Sequence, residues 1–172
     1  MDNFLEELKT IIKVYIGEVS CFLGLEIERH KDGSIEISQK AYARKILQRF
    51  GFEGCKPAST PMLKESRFQK PEDNKRQEFA IGSLMYLMVD TRPDITYSVG
   101  YISRSLESPT AEYVVRVKRV FRYIAGTTNV AITYHATGTS RVLECYSDAD
   151  FGGCTKTGRS SSGSVIVYAG GA

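Results

Sequence analysis

The sequence predicts an α+β fold with an N-terminal β-hairpin, a helical middle and a small, incomplete C-terminal sheet. Three observations predict it. Residues 21–39 alternate apolar and polar side chains around Lys31-Asp32-Gly33, and Asp-Gly between two alternating runs is a strong hairpin signal. Residues 79–126 carry apolar side chains at helical spacing. From Val130 onward the period returns to two.

Composition sets the outer bounds. The 172 residues suffice for one medium domain or two small ones. A hydrophobic content of 42% and a charged content of 25% are ordinary for a soluble globular chain. No apolar run approaches the roughly 18 residues of a membrane span. The start, MDNFLEELKT, is acidic and then amphipathic, unlike the basic and apolar regions of a signal peptide. Cys21, Cys55, Cys145 and Cys154 lie far apart, with no C-x-x-C pair and no histidine at zinc spacing. That favours a reduced, intracellular chain. A net charge of +3 is too weak to argue for nucleic acid by itself, so its distribution matters more.

The elements follow in order. Phe4, Leu5, Leu8, Ile11 and Ile12 recur at helical spacing and open the chain with a short amphipathic helix. Leu23, Leu25 and Ile27 then alternate with Gly24, Glu26 and Glu28 as the first hairpin strand, and Ile35 and Ile37 mark the second. The hairpin can be a plain sheet edge. Ser38 can cap a helix with the stripe Tyr42, Ile46, Leu47 and Phe50, stopped by Gly51. Pro57 and Pro61 keep residues 55–62 extended. Residues 63–77 are mixed-charge and poor in apolar side chains, the pattern of a mobile linker. Phe79 to Val89 is apolar on all sides apart from Gly82 and Ser83, which predicts a buried helix with Gly82 as a point of close approach. At Thr91-Arg92-Pro93-Asp94 a new helix starts: Thr91 can cap, Pro93 suits the first turn, and Asp94 takes the place of a capping-box acid. Ile95, Val99, Ile102 and Leu106 form its stripe. Pro109 and Thr110 begin a last helix, which ends at Gly126.

That last helix is the best-patterned segment. Tyr113, Val114, Val117, Val120, Phe121 and Ile124 fall on one side, and Arg116, Lys118, Arg119 and Arg122 on the other. Four bases less Glu112 give +3, equal to the excess of the whole chain. The basic side can be a solvated outer face, or it can contact phosphates in a salt-sensitive, sequence-independent way.

Val130, Ile132 and Tyr134 suggest one strand, 142–148 a second and 162–168 a third. Asp148 and Asp150 share a face if the second stays extended. Two carboxylates at a strand end can hold a hard cation such as Mg²⁺ through oxygen, or they can merely end a strand and start a turn. A two-metal nuclease needs more acids than these. The serine cluster at 160, 161, 162 and 164 reads as a strand entrance, with no G-x-S-x-G and no Gly-Lys-Ser/Thr loop.

Several motifs in order, FLGLEIERHKDGSIEISQ, YARKILQRFGF, CKPASTPM, IGSLMYLMVDTRPDITYSVGYISR, VKRVFRYIAGT, YSDADFGG and SSSGSV, closely resemble the Pol polyprotein of copia-type LTR retrotransposons. The resemblance spans essentially the whole chain. It implies that residues 1–38 close a reverse transcriptase palm, that 39–128 form its helical thumb and connection, and that 129–172 begin an RNase H-like domain. It implies that Phe22, Leu23 and Gly24 belong to a primer grip, and that the helices at 39–50 and 79–106 track template–primer duplex. By the same resemblance Asp148 is the first metal-binding and catalytic acid of RNase H, with Asp150 the weaker candidate for the metal.

The resemblance also implies Mg²⁺ or Mn²⁺ in the parent enzyme and none stably bound here. The partners would be an RNA–DNA or RNA template–primer duplex and the rest of the polyprotein, with no membrane and no small-molecule substrate. The parent would reside in a cytoplasmic virus-like particle or in the nucleus. The family's Tyr-x-Asp-Asp motif does not occur in this sequence. Where the family commonly shows Asp-Trp-Ala-Gly-Asp, this chain has Asp150-Phe151-Gly152-Gly153-Cys154. The expectation is therefore a catalytically incomplete piece of a polymerase–ribonuclease. The alternatives are a duplex-binding module without catalysis, in which Arg116, Lys118, Arg119 and Arg122 hold phosphates, or a decayed remnant without activity.

Overall fold

The computed structural model describes residues 17–62, 74–104, 106, 111–138, 142–153 and 158–172, together with Thr10. The opening-helix stripe at 4–12, the linker core at 63–73, the Pro109–Thr110 helix start and Cys154 lie outside them.

Strands β1 (Cys21–Phe22), β2 (Leu25–Arg29) and β3 (Ile35–Ser38) lead into helix α1 (Lys40–Phe50). Helix α2 (Asn74–Asp90), a 3₁₀ turn (Pro93–Ile95), α3 (Thr96–Ser103) and α4 (Ala111–Gly126) follow. Strands β4 (Ile132–Tyr134), β5 (Glu144–Ala149) and β6 (Ser162–Val167) close the chain. The α+β architecture is the expected one.

The first sheet is antiparallel in the order β1-β2-β3-β4. The Asp-Gly hairpin forms as read, with Ile27 opposite Ile37. Its turn is fixed by Asp32, whose Oδ1 accepts hydrogen bonds from the Ser34 amide at 2.9 Å and the Ser34 hydroxyl at 2.6 Å. Two readings of this region are corrected. Leu23 and Gly24 do not continue a strand; they form a two-residue turn between β1 and β2. The 130–134 strand does not start the C-terminal sheet. Ile132 pairs with Ile37 and Tyr134 with Ile35, so β4 completes the first sheet. Period two specifies a strand and not its partner.

The core is helical. Ala43, Ile46 and Leu47 of α1 meet Ala80, Ile81, Leu84 and Leu87 of α2, Ile95, Val99 and Ile102, and the α4 stripe from Tyr113 to Ile124. Phe50 and Phe52, either side of the Gly51 stop, lie 5.1 and 4.9 Å from the Phe121 ring. The α4 stripe is buried as its spacing predicts, as are Ile95, Val99 and Ile102, while Leu106 is half-buried at the edge of the core.

Helix α2 departs from expectation twice. It begins at Asn74, inside the stretch read as linker. It is also not buried all round: Phe79, Met85, Tyr86 and Val89 are exposed, and a Cβ added at Gly82 meets nothing within 4 Å. Apolar composition therefore exceeds what the described neighbours cover.

The caps also differ. Ser38 ends β3, and the N-cap of α1 is Gln39, which makes no side-chain cap bond. The Ala41 amide is met instead by Glu26 Oε1 of β2 at 2.6 Å. Thr91 does not cap; its hydroxyl donates to Gln39 Oε1 at 2.8 Å. Asp94 does not reach back to a backbone amide. It receives Arg92 Nε at 2.9 Å and Nη2 at 2.8 Å.

Arg92 is only 2% exposed. It also donates to the Thr127 carbonyl at 3.0 Å and the Thr127 hydroxyl at 2.6 Å, while the Tyr123 hydroxyl donates to Asp94 Oδ2 at 2.8 Å. A guanidinium buried this deeply persists only when every fork is met. This network ties the start of the α3 region to the end of α4.

Strands β5 and β6 form a separate two-stranded sheet, with Tyr146 opposite Val165 and Cys145 opposite Ile166. Both faces of β5 are exposed. The turn after β6 returns to the first sheet, where the Ala169 carbonyl accepts the His135 amide at 2.8 Å.

Candidate nucleic-acid interface

The Leu23–Gly24 tip comes first because its backbone is unusual. Leu23 has φ 49° and Gly24 φ 84°. Two positive φ values in a two-residue loop give the twist that antiparallel strands need, but a leucine there is strained. Leu23 is nonetheless 76% exposed and Phe22 58% exposed. The Tyr86 hydroxyl of α2 donates to the Leu23 carbonyl at 2.7 Å, and a Cβ on Gly24 would fall 2.7 Å from the same hydroxyl oxygen. An apolar tip is thus pinned to a helix and held outward. Beside it, Tyr42, Phe79, Gly82 and Ser83 line an open depression of about 360 Å³.

The basic helix is less open than its sequence implies. Arg116 is buried, ion-paired with Glu112 one turn back, and its guanidinium carbon lies 4.8 Å from the Tyr101 ring centroid. Arg119 Nη2 donates to the Thr60 hydroxyl at 2.9 Å. Arg122 Nε donates to the Lys56 carbonyl at 2.8 Å, and the Arg122 carbonyl accepts the Ala58 amide at 3.1 Å. The extended segment 55–62, kept from helix by its two prolines, lies across α4 as a strap. Lys118 is the exposed base of the four.

Asp148 and Asp150 sit at the end of β5, which points toward the Phe151–Gly152 bend. Asp148 is exposed and its Oδ1 accepts the Ala149 amide at 2.8 Å. Asp150 Oδ1 accepts the Ser161 amide at 2.6 Å and the Gly153 amide at 3.4 Å. Its carboxylate therefore closes the turn into β6. The Ser160 hydroxyl, accepting the Gly152 amide at 2.9 Å, helps. Among the described residues no three His, Cys, Asp or Glu side chains gather as metal ligands. The two acids as arranged do not by themselves make a divalent-cation site, since a hard cation takes six or more oxygens.

Within the Arg92 network two titrations are displaced. Burial pushes the Asp94 carboxyl up, but hydrogen bonds from Arg92, the Arg92 charge and the Tyr123 hydroxyl outweigh it and hold Asp94 below the usual carboxylate range. Burial and the hydrogen bond to Asp94 raise the Tyr123 phenol. Sequence reading passed over Arg92. Its signal was an Arg-Pro-Asp set between two apolar helices.

The chain is 36% identical over 169 residues to a retrovirus-related Pol polyprotein from transposon TNT 1-94 of Nicotiana tabacum, covering 91% of this chain and 13% of the relative. It is 37% identical over 158 residues to a retrovirus-related Pol polyprotein from transposon RE1 of Arabidopsis thaliana, covering 89% of this chain and 10% of the relative.

The chain is homologous to transposon Pol polyproteins. An uncharacterized mitochondrial protein of Arabidopsis thaliana is 35% identical over 155 residues, covering 86% of this chain and 62% of that protein. The chain thus spans about a tenth of the two polyproteins and under two thirds of the mitochondrial relative. No family model and no solved structure matches.

Proposed function

We propose that this chain is the segment of a copia-type Pol polyprotein that joins reverse transcriptase to RNase H, and that it holds nucleic acid and does not itself perform the chemistry. The observation that carries this reading is the Leu23–Gly24 turn. It is strained, exposed and apolar, and α2 locks it in place through Tyr86. Strain kept in an exposed apolar tip is typical of a contact with something outside the fold. The primer-grip resemblance names that contact as the primer strand of a template–primer duplex. Phe22, Leu23 and Gly24 would touch the sugar–phosphate edge, and Lys118 would add charge. Arg116, Arg119 and Arg122 would act at one remove, by holding α4 and its strap in shape.

Asp148 would supply a cation ligand only together with oxygens from elsewhere in a longer polyprotein. Mg²⁺ or Mn²⁺ would then polarise the scissile phosphate, and this chain's part would be to place Asp148 at the strand end.

The test is anisotropy of a labelled RNA–DNA hybrid with the full chain across a salt series. Affinity should fall with salt with a slope of about one, as expected for one neutralised phosphate, and should weaken in Leu23→Asn. No binding at low salt would refute the reading. Primer extension and hybrid cleavage with Mg²⁺ or Mn²⁺ should stay at background; activity abolished by Asp148→Asn would refute the non-catalytic part.

A further inference from the structure

The outer face of α3 carries a stripe that neither the tip nor the acids explain. Tyr97, Tyr101 and Arg104 stand at i, i+4 and i+7, one face of the helix. Ile95, Val99 and Ile102 take the opposite, buried face. Tyr97 is 65% exposed and Tyr101 39%. Their ring centroids lie 6.4 Å apart at 38°, close to two base-stacking steps of about 3.4 Å. Gly100 sits between them on that face, and a Cβ added there meets nothing within 4 Å. The Arg116 guanidinium lies 4.8 Å from the Tyr101 ring centroid, so Tyr101 offers its other side.

Arg104 supplies the cation of the stripe. The carboxylates beside it are already paired, Asp94 with Arg92 and Glu112 with Arg116. Arg104 is exposed and its Nη2 donates to the Ser161 hydroxyl at 2.9 Å. Ser161 is the residue whose backbone pairs with Asp150, carbonyl to amide at 3.0 Å. The stripe therefore ends where the β5 carboxylates begin.

We propose that Tyr97, Tyr101 and Arg104 form a stacking track for an unpaired nucleic-acid strand, which leads that strand to the Asp148–Asp150 end of β5. Bases would lie on the two tyrosines and a phosphate on Arg104. The proposal rests on the nucleic-acid reading above. An unpaired strand fits better than a duplex because a duplex covers its base faces with neighbouring bases, whereas unpaired bases offer theirs to aromatic rings. It fits better than a protein helix because two rings flanking a glycine offer little aliphatic surface to bury.

The experiment is anisotropy of labelled single strands on the order of ten nucleotides, oligo-dT and oligo-rU, with the full chain, run beside the RNA–DNA hybrid. Tyr97→Ala and Tyr101→Ala should each weaken single-strand binding by about fivefold to a hundredfold, equally at low and high salt. Tyr97→Phe and Tyr101→Phe should bind as the parent does, and Arg104→Ala should flatten the salt dependence. Tyr97 is exposed, so Tyr97→Ala should melt as the parent does. Tyr101→Ala also removes the ring against the buried Arg116 guanidinium and should melt somewhat lower, so its binding is compared at a temperature where it is fully folded. Should either fail to fold, photocrosslinking of a 5-iodouracil strand to the parent decides, with adducts expected on Tyr97 or Tyr101 and adducts elsewhere alone overturning the track. Folded alanine variants that bind single strands like the parent, while the hybrid still binds, would overturn the track and leave the duplex reading standing. A parent that binds neither ligand at low salt would overturn both.

Discussion

The β2–β3 and β5–β6 hairpins share a sequence pattern and differ in almost everything else. In β2–β3, alternation places Ile35 and Ile37 on a half-buried surface, β1 and β4 cover the two edges, and Glu26 and Leu23 bond to the helices behind. In β5–β6 the same alternation leaves Tyr146 and Val165 exposed on one face and Ile166 on the other. Each strand there has one partner. Period two reports an extended backbone. It does not report whether a second layer covers the strand, and burial by that layer supplies most of a strand's stability.

The largest effect should come within the helical core that backs the first region. Arg92→Ala leaves Asp94 half-buried without its cation and should cost about 3–5 kcal/mol, read from urea unfolding. A cost under about 1 kcal/mol would show that the network does not tie α3 to α4. Gly171→Ala comes next. Its Cβ would fall 2.7 Å from the Tyr134 ring and 2.9 Å from Ile132, and such overpacking costs about 1–3 kcal/mol. If instead Gly171→Ala melts like the parent, the C-terminal turn is not seated on β4.

Leu23→Asn should go the other way. Asparagine tolerates positive φ better than leucine, so stability should hold or rise by up to about 1 kcal/mol while hybrid affinity falls. A variant that loses stability would remove the argument for strain. Val165→Ala, in the uncovered hairpin, should change stability by no more than about 0.5 kcal/mol; a cost of core size would mean that β5–β6 is covered after all.

The Arg92 network also sets a pH dependence. Asp94 titrates lower in the fold than in the unfolded chain, so its contribution is present above the unfolded carboxylate value and lost as pH falls through the folded one. Tyr123 titrates higher, so its contribution holds below the ordinary phenol value and is lost as pH rises through the raised one. Melting temperature against pH should therefore fall at both extremes. Asp94→Asn should flatten the acid limb and Tyr123→Phe the alkaline limb. Unchanged limbs in these variants would assign the dependence to other groups.

Much of this fold is legible in the residues. The α4 stripe, the Asp32-Gly33 turn and the Gly51 stop are local signals, and local signals survive folding. What the sequence hides depends on distant partners. Ile132 carries no mark that it pairs with Ile37. The arginines of α4 read as one basic face because the strap at 55–62, which occupies Arg119 and Arg122, lies some sixty residues away in the chain. Asp148 and Asp150 read as one pair because their spacing assumes a strand that ends one residue too soon, at Ala149. The Leu23 turn was hidden inside an alternating run, since a turn of two residues preserves the apparent period.

The most direct test is amide exchange of the full chain with and without an RNA–DNA hybrid. Alone, the core residues Ile46, Leu47, Ile81, Leu84, Val117 and Val120 should exchange as one slow unit and β5–β6 faster and separately. Adding the hybrid should slow exchange at residues 22–25 while leaving the core unchanged. A hybrid that alters no amide near the Leu23 tip, or a core no better protected than β5–β6, would contradict the account of a rigid body presenting a fixed tip to nucleic acid.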